Sequence, residues 1–251
     1  MRKKIVAGNW KMNKLWPEAM ELAKALASNS AGFPVDVHVL VSPPAVYLQG
    51  LRAELPSSIA IAAQNCSQHE SGAYTGEISA GMLKSIHVHH SIIGHSERRQ
   101  YYGETNDIIR EKIDACLRHE VTPIFCCGES LQERNAEIHF STVASQLQEA
   151  LFHLSADQIQ QVVIAYEPVW AIGTGVTASN EQAEEMHAYI RSLIAENYGS
   201  DVANAISILY GGSVNAANAA DLFACPNVDG GLVGGASLKA ADFTTIIQAA
   251  Q

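Results

Sequence analysis

The sequence has few basic residues and no run of them. Lys and Arg together number 16 against 26 Asp and Glu in 251 residues, which gives a formal net charge of −10. Nucleic acids and anionic membrane surfaces are bound largely through clustered Lys and Arg, so this composition makes both of them poor partners. An anionic ligand would have to be held locally, by backbone amides and one or two lysines, against the field of the whole chain.

Long apolar runs are absent as well. The basic residues at 2–4 are followed by only three apolar residues, 5–7, which is too short for the core of a signal peptide, and no stretch reaches the length of a membrane span. The five cysteines are odd in number and show no CxxC or zinc-binding spacing. This usage is typical of reduced thiols, and we expect a cytoplasmic protein that does not bind a membrane.

Eight short runs of almost continuous apolarity recur along the chain, which is typical of parallel strands buried on both faces. Helical patterns separate them, three of which begin with a capping box. Eight alternations of strand and helix in 251 residues predict one (β/α)8 barrel (a TIM barrel) with eight parallel strands, forming a single catalytic domain over 1–251. An open doubly wound sheet is the alternative. The apolar runs are 5–8, 37–41, 58–63, 91–94, 123–127, 162–166, 206–210 and 228–233.

Polar residues follow the ends of several of these runs, where a barrel carries its catalytic groups. The first run ends in Asn9 and Lys11, the fourth in His95 and the sixth in Glu167, and glycine-rich turns follow the seventh and eighth. One carboxylate, one imidazole, one ammonium and one amide favour proton abstraction beside a carbonyl. The glycine-rich turns would hold an anion through their backbone amides.

Each of these features also has a structural interpretation. Glu167 could form an ion pair at a strand end, His95 could cap a helix, and the glycine pairs could be tight turns. The glycine-rich segment 171–175 lacks the third glycine of a dinucleotide-binding loop. The histidines at 87–90 match no metal-binding spacing and precede the fourth strand, at the opposite end of the barrel from the site. We therefore expect neither a cofactor nor a metal.

Five longer motifs together resemble the triosephosphate isomerase family. They occur in the family's order and extend from the first strand to the last helix, so the resemblance covers essentially the whole chain. The motifs are AGNWKMN at 7–13, IGHSERR at 93–99, AYEPVWAIGTG at 165–175, YGGS at 210–213 and GLVGGAS at 231–237.

The resemblance implies interconversion of dihydroxyacetone phosphate and D-glyceraldehyde 3-phosphate through an enediolate, in glycolysis and gluconeogenesis. Glu167 would be the base, and His95, as a neutral imidazole with its pKa lowered by a helix N-terminus, would hydrogen-bond the enediolate oxygens. Lys11 would supply positive charge and Asn9 would orient the carbonyl. Glu97 would lie near Lys11, either in a family role or as a structural ion-pair partner. Residues 168–178 would form a lid, and the phosphate would bind Gly173, Ser213, Gly234 and Gly235.

The resemblance also implies a homodimer built through the loop from Cys66 to Ser79. Thr75 at its tip would lie near the active site of the partner subunit, whereas the structural alternative is a mobile surface loop.

Two other functions are possible. A Schiff-base aldolase would need a strand-end lysine where Glu167 stands, and a metal-dependent epimerase would need clustered ligands. A non-catalytic binding protein would not need Lys11, His95 and Glu167 together.

Overall fold

Eight parallel strands close into a barrel in the computed structural model, which describes residues 2–172 and 177–251. Each strand pairs with the next along the chain, and β8 pairs with β1 to close the circle. All eight predicted runs are strands, with bounds within two residues of those expected. The (β/α)8 barrel is thus confirmed, and the open doubly wound sheet is wrong. The strands are β1 (Lys4–Asn9), β2 (Val37–Ser42), β3 (Ile59–Ala63), β4 (His90–Ile93), β5 (Thr122–Cys127), β6 (Val163–Tyr166), β7 (Ile208–Tyr210) and β8 (Gly230–Val233).

Helices connect the strands and surround the barrel. The three predicted capping boxes are formed at Ser130, Ser155 and Ser179, where the serine hydroxyl accepts from the backbone N–H three residues on. None of the helices described for this chain is both long and apolar enough to span a membrane. The helices are α1 (Trp16–Asn29), α2 (Leu48–Glu54), α3 (Ala80–Ser85), α4 (Ser96–Tyr102), α5 (Asn106–Arg118), α6 (Leu131–Asn135), α7 (His139–Ala150), α8 (Ala156–Ile159), α9 (Asn180–Tyr198), α10 (Ser200–Ala203), α11 (Ala219–Phe223) and α12 (Ala240–Gln248).

Two apolar cores explain why the strands are apolar on both faces. One core fills the barrel interior with residues such as Ala7, Leu40, Ile124 and Leu232. The other lies between the strands and the helices and includes the opposite faces of the same strands. A strand buried on both sides has no solvent-facing positions, so its sequence shows continuous apolarity rather than alternation.

The β1–β8 seam that closes the barrel depends on Gly230. This residue pairs with Ile5 and has a φ of 123°, in the region that side chains with a Cβ rarely adopt. A Cβ at this position would lie 2.0 Å from the carbonyl oxygen of Ile5. The two strands could accommodate it only by moving apart.

We therefore expect Gly230→Ala to destabilise the chain by about 3 kcal/mol or more, because backbone strain and a backbone clash add together. Thermal and urea unfolding followed by circular dichroism would measure the loss. Gly32→Ala is the matched control, since a Cβ at Gly32 meets nothing within 4 Å. Equal stability of the two variants would contradict this account of the seam.

Candidate active site

A cavity of about 530 Å³ opens at the C-terminal ends of the strands. Ile172 and Leu232 contribute apolar wall, and the glycine-rich turns after β7 and β8 form one side. The cavity brings together residues from both ends of the chain that the sequence analysis placed in the site. Gly173 was also predicted, but it lies outside the described residues. The predicted site residues that line the cavity are Asn9, Lys11, His95, Ser213, Gly234 and Gly235.

Lys11 is held in the cavity by its backbone as well as by its side chain. Its φ of 51° is unusual for a residue other than glycine. The backbone N–H of Lys11 donates to Asn9 Oδ1 at 3.0 Å, and Gln64 Nε2 donates to the Lys11 carbonyl at 2.8 Å. The ammonium lies 2.7 Å from Glu97 Oε1, so Glu97 is the ion-pair partner of Lys11 in this structure. Because both side chains are partly exposed, this pair contributes little to stability.

His95 is the residue at which β4 gives way to α4. Its Nδ1 accepts from the backbone N–H of Glu97 at 3.2 Å, at the start of the helix. A neutral imidazole with Nδ1 as acceptor carries its proton on Nε2. The Nε2 atom lies 3.0 Å from Glu167 Oε1. The Nε2–H of a neutral His95 would therefore donate to the Glu167 carboxylate in this structure.

The pKa of His95 differs from the expected one. Burial alone lowers the pKa of this imidazole, but the adjacent Glu167 carboxylate favours its charged form and outweighs burial, so the pKa is raised. A lowered pKa was predicted from the helix terminus, which is visible in the sequence, whereas the contact with Glu167 is not. The difference therefore reflects the resting position of Glu167.

Glu167 follows β6 directly and is 2% exposed. Ser96 holds its carboxylate: the backbone N–H donates to Oε2 at 2.9 Å and the hydroxyl to Oε1 at 3.4 Å. A Cβ on Gly211 would lie 2.9 Å from Glu167 Cγ, so the glycine makes room for the acid. The described lining of the cavity does not include Glu167. The carboxylate thus rests against α4, beside the cavity.

A buried carboxylate fixes the segment that follows Glu167. Glu129 Oε1 accepts from Tyr166 Oη at 3.0 Å, from Trp170 Nε1 at 2.8 Å and from Arg134 Nη1 at 3.1 Å. These bonds set where the chain leaves β6 and enters the predicted lid. Ser96 and Glu129 were not predicted as residues that support the site, although each lies just after a predicted strand, which was the available signal.

Comparisons with known proteins agree with the motifs in the site. The sequence matches the family described as Triosephosphate isomerase over residues 4–250. A protein named Triosephosphate isomerase from Cytophaga hutchinsonii is 55% identical over 247 residues, which is 98% of each chain. The chain belongs to the triosephosphate isomerase family. Proteins of the same name from Acetivibrio thermocellus and Porphyromonas gingivalis are 54% and 53% identical, over at least 97% of each chain.

Membership of the family confirms the resemblance that the five motifs indicated. Because the matches cover the whole barrel, they include both the strands that build the cavity and the loops that line it. Within residues 2–172 and 177–251, no three His, Cys, Asp or Glu side chains are grouped so that they could hold a metal ion. The groups that face the cavity are instead those of acid–base and anion chemistry.

The contact between His95 and Glu167 makes a prediction about titration. In Glu167→Gln the charge that favours imidazolium is gone and burial remains, so the pKa of His95 should fall. Titration of the imidazole followed by nuclear magnetic resonance would measure it. Glu97→Gln is the control and should have a smaller effect, because the Glu97 side chain is 41% exposed and screened by solvent. An unchanged or higher pKa in Glu167→Gln would refute the assignment.

Proposed function

We propose that this chain catalyses the interconversion of dihydroxyacetone phosphate and D-glyceraldehyde 3-phosphate, in glycolysis and gluconeogenesis in the cytoplasm, with residues 1–251 as one catalytic domain. The observation that carries this proposal is the pairing of Glu167 with His95 Nε2 at 3.0 Å, beside a cavity that contains Lys11 and two glycine-rich turns. His95 lines the cavity and Glu167 lies beside it, so a carboxylate that turns into the cavity and the imidazole can act on adjacent atoms of one small substrate.

Glu167 is the proposed base. It takes a proton from the carbon next to the carbonyl and returns it to the former carbonyl carbon, while the hydroxyl proton passes from one oxygen to the other, so the product is an isomer of the substrate. The carboxylate must first turn from Ser96 towards the cavity, which exchanges two hydrogen bonds for contact with substrate. Ile172 and Leu232 would then exclude water from the reacting carbons.

His95 is the proposed hydrogen-bond donor to the oxygen atoms of the enediolate. When Glu167 turns away, the charge that raises the pKa of His95 leaves its neighbourhood. Burial, and the Glu97 N–H that points at Nδ1, then favour the neutral imidazole with its proton on Nε2. The movement that brings the Glu167 carboxylate to the substrate therefore also favours the neutral form of His95, which donates to the enediolate.

The remaining cavity residues bind and orient the substrate in this proposal. Lys11 places positive charge beside the carbonyl and phosphate ends, and Asn9 orients the carbonyl end. Backbone amides suit a phosphate because they present dipoles at fixed positions. The amides proposed for this role are those of Gly173, Ser213, Gly234 and Gly235.

A homodimer formed through the Cys66–Ser79 loop is supported by exposed apolar side chains. They lie on the segments that follow β1 to β4, which are neighbours around the barrel, and are between 44% and 95% exposed. Apolar residues concentrated on one side of a protein are typical of an interface. The residues are Met12, Val46, Tyr74, Met82, Tyr101 and Tyr102. Thr75 is exposed beside Tyr74 and would meet the partner's site.

The assignment of the base predicts an order among variants at Glu167. Glu167→Asp keeps the acid but withdraws it by roughly 1 Å, a displacement that can cost about 100-fold in rate. Glu167→Gln keeps the length but lacks the base, so it should lose more. Turnover of glyceraldehyde 3-phosphate in a coupled assay measures both. Binding of a phosphate-containing substrate analogue should be largely kept, because Lys11 and the backbone amides hold that end.

Wild-type protein in heavy water should also incorporate deuterium into the product carbon, because a carboxylate exchanges its proton with solvent. Near-wild-type turnover by Glu167→Gln, or transfer of hydrogen between the carbons without exchange, would rule out this mechanism. The absence of any isomerase activity in the wild-type chain would rule out the function itself.

If the chain forms this dimer, a charged residue at the loop tip should abolish activity without changing any of the proposed catalytic residues. Thr75→Arg places a cation in the proposed contact, so we expect dissociation to monomers and a large loss of activity. Light scattering and the coupled assay measure the two effects on the same sample. Gln248→Arg adds the same charge at an exposed position at the end of α12, outside this loop, and serves as the control. A fully active Thr75→Arg monomer would contradict the proposal.

A further inference from the structure

Two cysteines outside the active site have their sulfur atoms in contact. Cys66 begins the 66–79 loop after β3, Cys116 lies in the last turns of α5, and the two Sγ atoms are 3.4 Å apart. Both residues are buried, and neither is in a disulfide. The contact joins positions 50 residues apart in sequence. No step of the proposed isomerase mechanism uses it.

We propose that Cys66 and Cys116 form a thiol pair that a small peroxide oxidises to an intramolecular disulfide. The Cys66 thiolate attacks one oxygen of hydrogen peroxide, which leaves a sulfenic acid on Cys66 and releases hydroxide. The Cys116 sulfur then attacks Cys66 Sγ, the S–S bond forms and water leaves. Two thiols are oxidised and one peroxide is reduced to two molecules of water.

In the proposed sequence Cys66 takes the first step. Either sulfur can be the donor in this contact, and with Cys116 as the donor the hydrogen bond outweighs burial and lowers the pKa of Cys66. The pKa of Cys116 is raised, because it is the donor in that bond and because it is buried. The thiolate is the reactive form, so Cys66 is the nucleophile and Cys116 the resolving thiol.

The contacts on either side of the pair hold the two elements together. Lys112 Nζ on α5 donates to Asn65 Oδ1 at 2.9 Å, one residue before Cys66. Towards the end of α5, Arg118 pairs with Glu70 of the loop at 2.8 Å. Closing the sulfur atoms to the roughly 2.05 Å of a disulfide therefore needs a small movement between segments that already face each other. Because both residues are buried, bulky oxidants have little access to them. Cys116 is the thiol in contact with Cys66, so it is the first to react with an oxidised Cys66.

The other three cysteines serve as internal references. Cys126 and Cys127 are consecutive in β5, so their side chains point to opposite faces of the sheet, one to each core. Burial raises the pKa of both thiols, that of Cys127 to about 12. Cys225 is partly exposed, and its thiol donates to backbone oxygens. Neither the vicinal pair nor the single exposed thiol is arranged to close an intramolecular disulfide.

The test uses full-length Cys225→Ser protein treated with hydrogen peroxide, then denatured, alkylated and mapped without reduction. We expect the alkylatable thiols to fall from four per chain to two, with one cross-linked species joining the peptides of Cys66 and Cys116. Dithiothreitol should restore all four. This measurement needs no substitution in the core. Retention of both thiols, or a cross-link between other cysteines, would overturn the proposal.

Two further variants in the same background identify the order of the steps. In Cys116→Ser, which keeps a hydrogen-bond donor beside Cys66, the cross-link should disappear, and a sulfenic acid on Cys66 should be captured by dimedone. In Cys66→Ser, Cys116 should stay reduced. Capture of a sulfenic acid on Cys116 in Cys66→Ser, with none on Cys66 in Cys116→Ser, would overturn the assignment. Because every readout is chemical, failure here is distinguishable from failure of the isomerase assignment.

Discussion

The pairing of β1 with β8 is the constraint on which the site depends. It places the residue after the first strand beside the turn after the last, so that Lys11 Cε lies within 3.8 Å of where a Cβ on Gly234 would stand. All eight strands run in the same direction, and their C-terminal ends meet around one cavity. Groups separated by more than 200 residues in sequence line one cavity because the sheet closes on itself.

Hydrogen bonds, and not charge alone, hold the side chains of the site in place. Ser96 donates a hydrogen bond to the carboxylate of Glu167 beside His95, and the side chains of Gln64 and Asn9 hydrogen-bond the backbone of Lys11. The positions of Glu167 and Lys11 are thus fixed by neighbouring side chains and backbone groups. Such support matters because a displacement of about 1 Å in a reacting group is costly in rate.

The strands and most cavity residues could be predicted from the sequence because their signals are local. Apolar runs identified the strands, and the residue just beyond each run identified Lys11, His95 and Glu167. The contact of Glu167 with Ser96 could not be predicted, since it joins residues 71 apart whose meeting depends on barrel geometry and side-chain rotamers. The raised pKa of His95 was missed for the same reason. The contact between Cys66 and Cys116 has no signal in either segment, because it depends on how α5 packs beside the loop.

The ion pair between Lys11 and Glu97 has a consequence for ligand selectivity. The Lys11 ammonium has the Glu97 carboxylate 2.7 Å away, which offsets its charge, and the chain as a whole is negatively charged. A ligand that reaches the ammonium has to compete with Glu97 for it. We therefore expect a ligand with several contacts in the cavity to be favoured over a small anion with only one.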